Sequence, residues 1–254
     1  MTQQQNLNAH SAPYKVLVIQ PDERAPLARF GQWLAQSGAD ITLVQPFRGD
    51  RIPSEVTADG LIILGGTMSY HDVEEFPWLE DITALCRGAT AANIPTLGIC
   101  LGAQLLAAAF DGEVTVNSPT GPETGVVDIE WTDEALHAPL VGDLSPGFSA
   151  TAFHYDGITA LPENAVLLGR GERYPNQVFR VGSAVGVQFH PEASPELFNS
   201  WCASDAAKKP ELADFFAEQQ QQVAEADEEI VPQVRQLARN FVQQLHAAPQ
   251  AQPH

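Results

Sequence analysis

Short apolar runs alternate with helix-like segments through the first 110 residues, and this alternation restricts the fold more than any other feature of the chain. Four runs have the length and composition of buried strands: residues 15–20, 41–44, 60–64 and 94–99. Two intervening segments, 27–37 and 77–90, are predicted to be helices, and in the first the apolar residues recur at helical spacing. Strands that alternate with helices predict βαβ units and a mainly parallel sheet.

The second part of the chain has shorter apolar runs at closer intervals. Five of them are predicted to be strands, several of them antiparallel: residues 114–116, 125–131, 165–169, 177–181 and 184–189. Gly182-Ser183 separates the last two and predicts a hairpin turn. The C-terminal part is polar and helical. We predict two helices there, 211–226 and 232–245, with Pro232 in the first turn of the second.

The charge balance argues against several classes of partner. The sequence has 13 basic and 32 acidic residues, a formal net charge of −19 at pH 7, so neither nucleic acid nor an anionic membrane is expected to bind. Residues 1–13 lack the apolar stretch of a secretory signal, and no apolar run approaches the ~20 residues that span a bilayer. The three widely spaced cysteines predict neither a disulfide framework nor a zinc site, so we expect a reducing, cytoplasmic location.

The segment Gly98-Ile99-Cys100-Leu101-Gly102 joins a predicted strand to a predicted helix. This layout is typical of a nucleophile elbow, in which flanking glycines permit a sharp turn that lifts one side chain out of the backbone. Here that side chain is the Cys100 thiol, and the positive end of the helix dipole would favour its thiolate form. The alternative is a buried structural cysteine, which is how most free cysteines behave.

A histidine and a carboxylate follow far downstream, in the segment Gln188-Phe189-His190-Pro191-Glu192. On an extended chain the i, i+2 spacing places His190 and Glu192 on the same side. The carboxylate can then hold the imidazole tautomer and stabilise its charged form. With Cys100 they supply the three parts of a Cys-His-Glu triad. Taken alone, such a pair is more typical of polar residues at the end of a strand.

Gly65-Gly66-Thr67 follows the predicted strand 60–64 and forms a loop at the carboxyl end of the sheet. An oxyanion hole needs two N–H donors, and the residue after the nucleophile, here Leu101, usually supplies one of them. Gly66 is our candidate for the second donor. An ordinary glycine turn is the alternative interpretation.

Taken together, Gly65-Gly66, Gly98-Ile-Cys-Leu-Gly-Ala-Gln104 and His190-Pro-Glu192 resemble the class I (triad) glutamine amidotransferase family, over about residues 15–196. Within it the chain is most similar to stand-alone proteins that resemble the amidotransferase domain of GMP synthase. The resemblance implies an α/β, flavodoxin-like three-layer sandwich with a mainly parallel central sheet, a small antiparallel insertion and a helical C-terminal extension. The expected division is a disordered N-terminus, a class I glutamine amidotransferase-like domain, a helical extension and a disordered tail: residues 1–13, 14–200, 201–246 and 247–254.

The resemblance implies a role for each candidate residue. Cys100 would attack the side-chain amide carbon of glutamine, and His190, oriented by Glu192, would accept the thiol proton and pass one to the departing ammonia. Water would then hydrolyse the γ-glutamyl thioester to glutamate. The N–H groups of Gly66 and Leu101 would stabilise both tetrahedral states.

Substrate binding is implied at two further places. Gln104 stands where the family has a glutamine that contacts the substrate amide; a plain helix residue is the alternative. The segment 153–157 matches a family stretch whose backbone holds the amino-acid end of the substrate, which makes His154, Tyr155 and Asp156 candidates. Tyr155 replaces a glycine there, and a simple turn at the end of a strand is equally compatible with His154 and Asp156.

No metal or cofactor is expected. The acidic loop 71–75 lacks the spacing of metal ligands, and the chain has no phosphate-loop or dinucleotide fingerprint. The expected partners are a small substrate, glutamine or another γ-glutamyl amide, and a separate synthetase subunit that would take up the ammonia. Two alternatives stay open: a hydrolase of another γ-glutamyl compound without ammonia transfer, and a regulatory binding module that has lost catalysis.

Overall fold

The computed structural model describes residues 12–247. The predicted disordered ends, 1–13 and 247–254, lie outside these residues except for positions 12, 13 and 247. The described residues form eleven strands: β1 (Tyr14–Ile19), β2 (Ala39–Val44), β3 (Gly60–Ile63), β4 (Thr96–Ile99), β5 (Glu113–Thr115), β6 (Glu123–Trp131), β7 (Phe148–His154), β8 (Gly157–Ala160), β9 (Val166–Arg170), β10 (Val178–Val181) and β11 (Ala184–Val187). They also form five α-helices: α1 (Ala28–Gln36), α2 (Trp78–Ala91), α3 (Leu101–Ala109), α4 (Pro195–Lys208) and α5 (Ala213–Ala247).

Nine of these strands form one sheet, in the order β2-β1-β3-β4-β11-β10-β9-β6-β7. The first five are parallel to one another, and their order, with β11 in the fifth place, is that of a flavodoxin-like sheet. Because the carboxyl ends of parallel strands meet at one edge, the segments that follow β1, β3, β4 and β11 come together there. The predicted α/β fold with its parallel sheet is confirmed.

Four antiparallel strands, β10, β9, β6 and β7, extend the main sheet. β10 and β11 pair as a hairpin, and the predicted turn at Gly182-Ser183 is confirmed, with Gly182 at a left-handed φ of +56°. β9, β6 and β7 continue the sheet, while β5 and β8 pair separately. β7 has no counterpart among the predicted strands, because most of its residues are buried and the usual in-out alternation is lost.

The main sheet is covered by helices on both faces. Successive residues of a strand point to opposite faces, and in β1 this sorts Val16 and Val18 from Leu17 and Ile19. The first pair packs in a core cluster with residues of α1 and α5. The second pair packs in another cluster, with residues of α2 and α3. The resulting helix–sheet–helix arrangement is the predicted three-layer sandwich.

The prediction of two C-terminal helices, 211–226 and 232–245, is wrong. A single helix, α5, runs through both segments with Pro232 in its interior. An interior proline removes a backbone hydrogen bond and costs about 3 kcal/mol relative to alanine. The nearby residues Ile230 and Val234 are almost fully buried in the core cluster that also contains residues of β1 and α1. Tertiary packing therefore offsets that cost. The proposed boundary between residues 200 and 201 falls inside α4.

Candidate active site

Cys100 lies at a sharp turn between β4 and α3. Its backbone has φ +50° and ψ −106°, a conformation that costs a non-glycine residue about 1–3 kcal/mol and is concentrated at functional sites. Its N–H donates to the carbonyl of Val187 at 2.9 Å, and its carbonyl accepts from the N–H of Gln104 at 3.0 Å. Hydrogen bonds on both sides therefore hold the thiol in the strained position that the elbow motif predicts.

The two glycines beside Cys100 are required by close backbone approach. A Cβ at Gly98 would lie 2.5 Å from the carbonyl oxygen of Gly102, and a Cβ at Gly102 would overlap the carbonyl of Ile63 in β3. The motif glycines thus let the start of α3 pack directly on the sheet.

His190 follows β11 and is held from two sides. Its N–H donates to the carbonyl of Thr151 in β7 at 2.7 Å. Its ring Nδ1 lies 2.6 Å from Oε1 of Glu192, and both side chains are buried. Because a carboxylate only accepts hydrogen bonds, Nδ1 carries the proton of that bond. The other ring nitrogen, Nε2, is left for the reaction centre.

The imidazole of His190 and the side chain of Cys100 meet over Gly65. A Cβ placed on Gly65 would lie 3.0 Å from Cε1 of His190 and 3.7 Å from Cβ of Cys100. Burial lowers the pKa of His190, but the charges of Glu192 and Cys100 and their hydrogen bonds to the ring raise it. The net pKa lies well above 6.5. The structure therefore brings Cys100, His190 and Glu192 together in a pocket that favours an imidazolium.

Gly66 and Leu101, the two candidate N–H donors, are neighbours. A Cβ on Gly66 would lie 2.7 Å from Cδ2 of Leu101 and 2.6 Å from the sulfur of Met68, so a larger residue here would displace the ends of these two side chains. Among the described residues neither N–H has a hydrogen-bond acceptor. Two unoccupied donors next to a cysteine are suited to a developing negative charge.

Asp22 anchors the glycine loop and was not among the residues singled out from the sequence. Its carboxylate accepts from the N–H of Thr67 and the N–H of Arg24, both at 2.9 Å, and from the Thr67 hydroxyl. Burial raises the pKa of the Asp22 carboxyl group, but these hydrogen bonds together lower it by more. The pKa therefore lies below its ordinary value. The available signal was a carboxylate just beyond the carboxyl end of β1.

A cleft of about 470 Å³, here called the Cys100 cleft, opens beside the thiol. It contains Cys100, Gly66 and all the residues predicted to bind substrate: Gln104, His154, Tyr155 and Asp156. Gln104 Nε2 donates to the carbonyl of Asp156 at 3.1 Å. Both ring nitrogens of His154 are engaged, one with that carbonyl at 2.8 Å and the other with Glu123 at 2.9 Å. His154 therefore supports the cleft wall and does not present a free nitrogen to it.

Two lysines line the Cys100 cleft, and neither was predicted from the sequence. The chain has three lysines, and two of them, Lys208 and Lys209, lie at the end of α4 and line the cleft. Nζ of Lys209 lies 4.2 Å from the ring centroid of Tyr155, whose hydroxyl donates to Asp205 at 2.8 Å. The signal was an adjacent lysine pair in a strongly acidic chain. This positive charge suits a carboxylate.

A second depression, here called the Trp201 recess, opens beside the histidine. It has a volume of about 310 Å³ and is lined in part by His190, Trp201, Leu197, Ala25 and Pro26. The Trp201 ring lies against the imidazole, with centroids 4.7 Å apart. The Cys100 cleft and the Trp201 recess share wall residues, so they meet at the reaction centre: Gly66, Thr67, Phe153 and Asp205.

Within residues 12–247 no three His, Cys, Asp or Glu side chains are placed to hold a metal ion. Asp72, in the acidic loop 71–75, lines the Cys100 cleft and accepts from the N–H of Ser69 at 2.8 Å. In the same part of the chain no helix combines the length and the apolar composition needed to cross a bilayer.

A protein-family model of class-I glutamine amidotransferases matches residues 30–208, which is most of the chain. The chain belongs to the class-I glutamine amidotransferase family. A relative from Haloquadratum walsbyi, named as one subunit of the glutamine-hydrolysing GMP synthase, is 33% identical over 179 residues, covering 67% of this chain and 88% of that protein. A γ-glutamyl-L-1-hydroxyisopropylamide hydrolase of a Pseudomonas species is 32% identical over 145 residues, covering 54% and 48%.

The fold of this amidotransferase also matches solved structures. The crystal structure of a glutamine amidotransferase from Thermotoga maritima superposes with a TM-score of 0.78 at 24% identity, over 94% of this chain and 100% of that one. The family that the three motifs predicted is thus confirmed, and the protein is an enzyme of the glutamine amidotransferase type.

Proposed function

We propose that this amidotransferase hydrolyses the side-chain amide of glutamine by covalent catalysis through Cys100. The observation that carries the proposal is the meeting of Cys100 and His190 over Gly65, with His190 bonded to the buried carboxylate of Glu192. A cysteine at a strained turn, beside an imidazole that a buried carboxylate orients, has the arrangement of a nucleophile and its base.

We assign one group of the protein to each proposed step. The Cys100 thiolate adds to the amide carbon, and the oxygen gains negative charge that the N–H groups of Gly66 and Leu101 stabilise. His190 then gives its proton to the nitrogen as the C–N bond breaks, leaving a γ-glutamyl thioester and ammonia. The imidazole, now neutral, takes a proton from water as water attacks the thioester, and glutamate is released. Loss of one such N–H donor typically costs about 2.7–4 kcal/mol of transition-state stabilisation.

The Cys100 cleft offers groups for the amino-acid end of glutamine. The proposed contacts are Gln104 with the substrate and the backbone of Tyr155 and Asp156 with its amino-acid end, with His154 holding the Asp156 carbonyl in place. Lys209 adds positive charge suited to an α-carboxylate, and Lys208, which lies 3.8 Å from Asp205, adds to it. This assignment is supported by the composition of the cleft, because Cys100 and both lysines line the same cavity.

Several relatives of this chain are named as subunits of GMP synthase, so we propose that the ammonia passes to a separate synthetase subunit. The Pseudomonas relative is named for a γ-glutamyl amide other than glutamine, and the same triad chemistry would cleave that class of compound. The alternative of a module without catalysis has less support, since Cys100, His190 and Glu192 lie close together.

The decisive experiment is a glutaminase assay on the wild type and on Cys100→Ala. The substitution should abolish release of glutamate and ammonia, because no other thiol lines the Cys100 cleft among the described residues. Cys86→Ala is the matched control. Cys86 is a buried core cysteine whose pKa is raised to about 12 by burial, and its loss should leave turnover intact. Unchanged turnover in Cys100→Ala would refute the proposal.

A further inference from the structure

The Trp201 recess is much larger than the group that glutamine would place in it. Its volume is about 310 Å³, whereas ammonia is about the size of a water molecule, whose share of liquid volume is ~30 Å³. Alkyl and aromatic side chains form much of its lining: Ala25, Pro26, Phe153, Leu197 and Trp201. A depression of this size and composition fits a hydrocarbon group.

The position of the Trp201 recess relative to Cys100 and His190 indicates which part of a substrate would enter it. Cys100 lines only the cleft, and His190 lines only the recess, while Gly66 and Thr67 line both. In the proposed reaction Cys100 bonds to the acyl carbon and His190 protonates the departing nitrogen. The acyl part of the substrate therefore lies in the Cys100 cleft, and any substituent on the nitrogen points into the Trp201 recess.

The carboxylates and the guanidinium that line the recess, those of Glu23, Asp205 and Arg24, each contact another protein group. Arg24 lies 3.6 Å from Asp22, Glu23 lies 3.4 Å from Arg48, and Asp205 accepts from Tyr155. A substituent with its own charge would meet no unpaired counter-ion among the described residues that line the recess. An uncharged, apolar substituent avoids that loss.

We propose, resting on the function argued above, that the enzyme also hydrolyses γ-glutamyl amides of small primary alkylamines and that the Trp201 recess binds the alkyl group. The C–S bond to Cys100 forms, the C–N bond breaks, and the proton on His190 goes to the nitrogen to give the free amine. Water then cleaves the thioester. The sum is one amide plus one water to glutamate plus amine, and no oxidant, reductant or cofactor takes part.

The test is kcat/KM for L-glutamine and for γ-L-glutamyl methylamide, ethylamide and n-propylamide. These three amides differ in alkyl length while the nature of the leaving amine stays the same, so the trend reports binding of the alkyl group. We expect kcat/KM to rise about fourfold with each added carbon, the factor that corresponds to ~0.8 kcal/mol per buried CH₂. γ-L-Glutamylglycine, whose substituent carries a carboxylate, should fall below the n-propylamide.

A variant that fills the recess separates binding there from a general preference for longer amides. Ser200 is exposed on α4 and lines the recess, so Ser200→Phe should bring kcat/KM for the n-propylamide down to that for the methylamide. Asn199→Phe is the matched control, since Asn199 is also exposed on the same helix and does not line the recess. The control should keep the full rise with alkyl length.

The possible failures are distinct. Hydrolysis of glutamine with no rise along the alkyl series, or a rise that survives Ser200→Phe, overturns the assignment of the recess and leaves the proposed function standing. Absence of hydrolysis for glutamine and for every amide overturns the proposed function and the recess assignment together. Cleavage of the amides by Cys100→Ala would do the same, because both proposals require the thioester.

Discussion

Trp201 covers the imidazole of His190, with the two ring centroids 4.7 Å apart, and its indole N–H donates to the carbonyl of Arg24 at 2.7 Å. Trp201 belongs to α4, the helix that follows His190, and Arg24 lies beyond the carboxyl end of β1. The Trp201 side chain therefore links α4 to the loop that contains Asp22. It also shields the His190 imidazole from water.

Substitution of Trp201 should separate these two roles. Trp201→Phe keeps an aromatic ring against His190 and loses the bond to Arg24, which should cost about 1 kcal/mol of unfolding free energy. Trp201→Ala also removes the ring and should cost about 3–5 kcal/mol. We expect kcat/KM for glutamine to fall in the same order, and urea unfolding of the same samples measures the two losses of stability.

Trp78→Phe is the control for Trp201. The buried indole N–H of Trp78 has no acceptor among the described residues, so its loss leaves no carbonyl unpaired. This variant should change kcat/KM little. If Trp201→Phe has the same unfolding free energy and the same kcat/KM as Trp78→Phe, the hydrogen bond from Trp201 to the Arg24 carbonyl contributes nothing. The proposed link between α4 and the Asp22 loop would then be wrong.

Glu192→Gln should make both activity and stability depend differently on pH. Glu192 raises the pKa of His190, so in the wild type the protonated imidazole stabilises the fold fully below pH ~6.5. That stabilisation is lost as pH rises through the higher folded pKa. The variant should have a lower kcat. The alkaline limb of its pH–activity profile should shift to lower pH. Its loss of unfolding free energy relative to the wild type should be larger at acid than at alkaline pH.

The pH experiment compares kcat profiles and urea unfolding at several pH values for the wild type, Glu192→Gln and Glu196→Gln. Glu196 is exposed and lies on the chain shortly after Glu192, so its variant controls for loss of a carboxylate near the site. A Glu192→Gln profile that coincides with the wild type would show that the carboxylate does not stabilise the imidazolium.

Asp22→Ala should lower kcat with a smaller change in KM. The Asp22 carboxylate holds the N–H and the hydroxyl of Thr67, and Thr67 follows Gly66, the proposed donor to the oxyanion. A displaced donor should cost about 10²–10³ in kcat. Asp22→Asn, which retains one acceptor oxygen, should recover part of the loss.

Asp50→Ala is the control for Asp22. Asp50 accepts from the backbone N–H of Gln45 at 2.9 Å in an exposed loop, so it is a comparable loop anchor that does not line the site. Its variant should retain wild-type kcat. Equal effects of the two alanine variants on kcat would mean that Asp22 acts only on global stability.

The fold and the core of the site could be predicted because their signals are local. The strand pattern, the glycines around Cys100 and the i, i+2 spacing of His190 and Glu192 each depend on a few adjacent residues. Asp22, the Trp201 recess and the lysine pair could not be predicted, because their positions depend on how separate segments pack. The same holds for α5, where burial of Ile230 and Val234 outweighs the local effect of Pro232.

Lys209→Gln should raise KM for glutamine and leave kcat nearly unchanged, if Lys209 binds the α-carboxylate in ground state and transition state alike. A hydrogen bond to a charged group contributes about 1.5–3 kcal/mol, so KM should rise by roughly tenfold or more, and the double variant with Lys208→Gln should rise further. Lys15→Gln, at the third and exposed lysine, is the control. If Lys209→Gln, the double variant and Lys15→Gln all had the same KM, the assignment of Lys209 to the α-carboxylate would be wrong.

Gly102→Ala should destabilise the protein strongly, since its Cβ would overlap the carbonyl of Ile63 and force α3 away from the sheet. Overpacking of this kind typically costs about 1–3 kcal/mol, and the shift would also move Leu101 and the Cys100 turn, so kcat should fall with it. Gly88→Ala in α2 is the matched control, because a Cβ there meets no atom within 4 Å. In that open helical position alanine should stabilise by about 0.5–1 kcal/mol. Urea unfolding of both variants gives opposite signs if close packing is the reason for Gly102, and the same sign for both would contradict that reason.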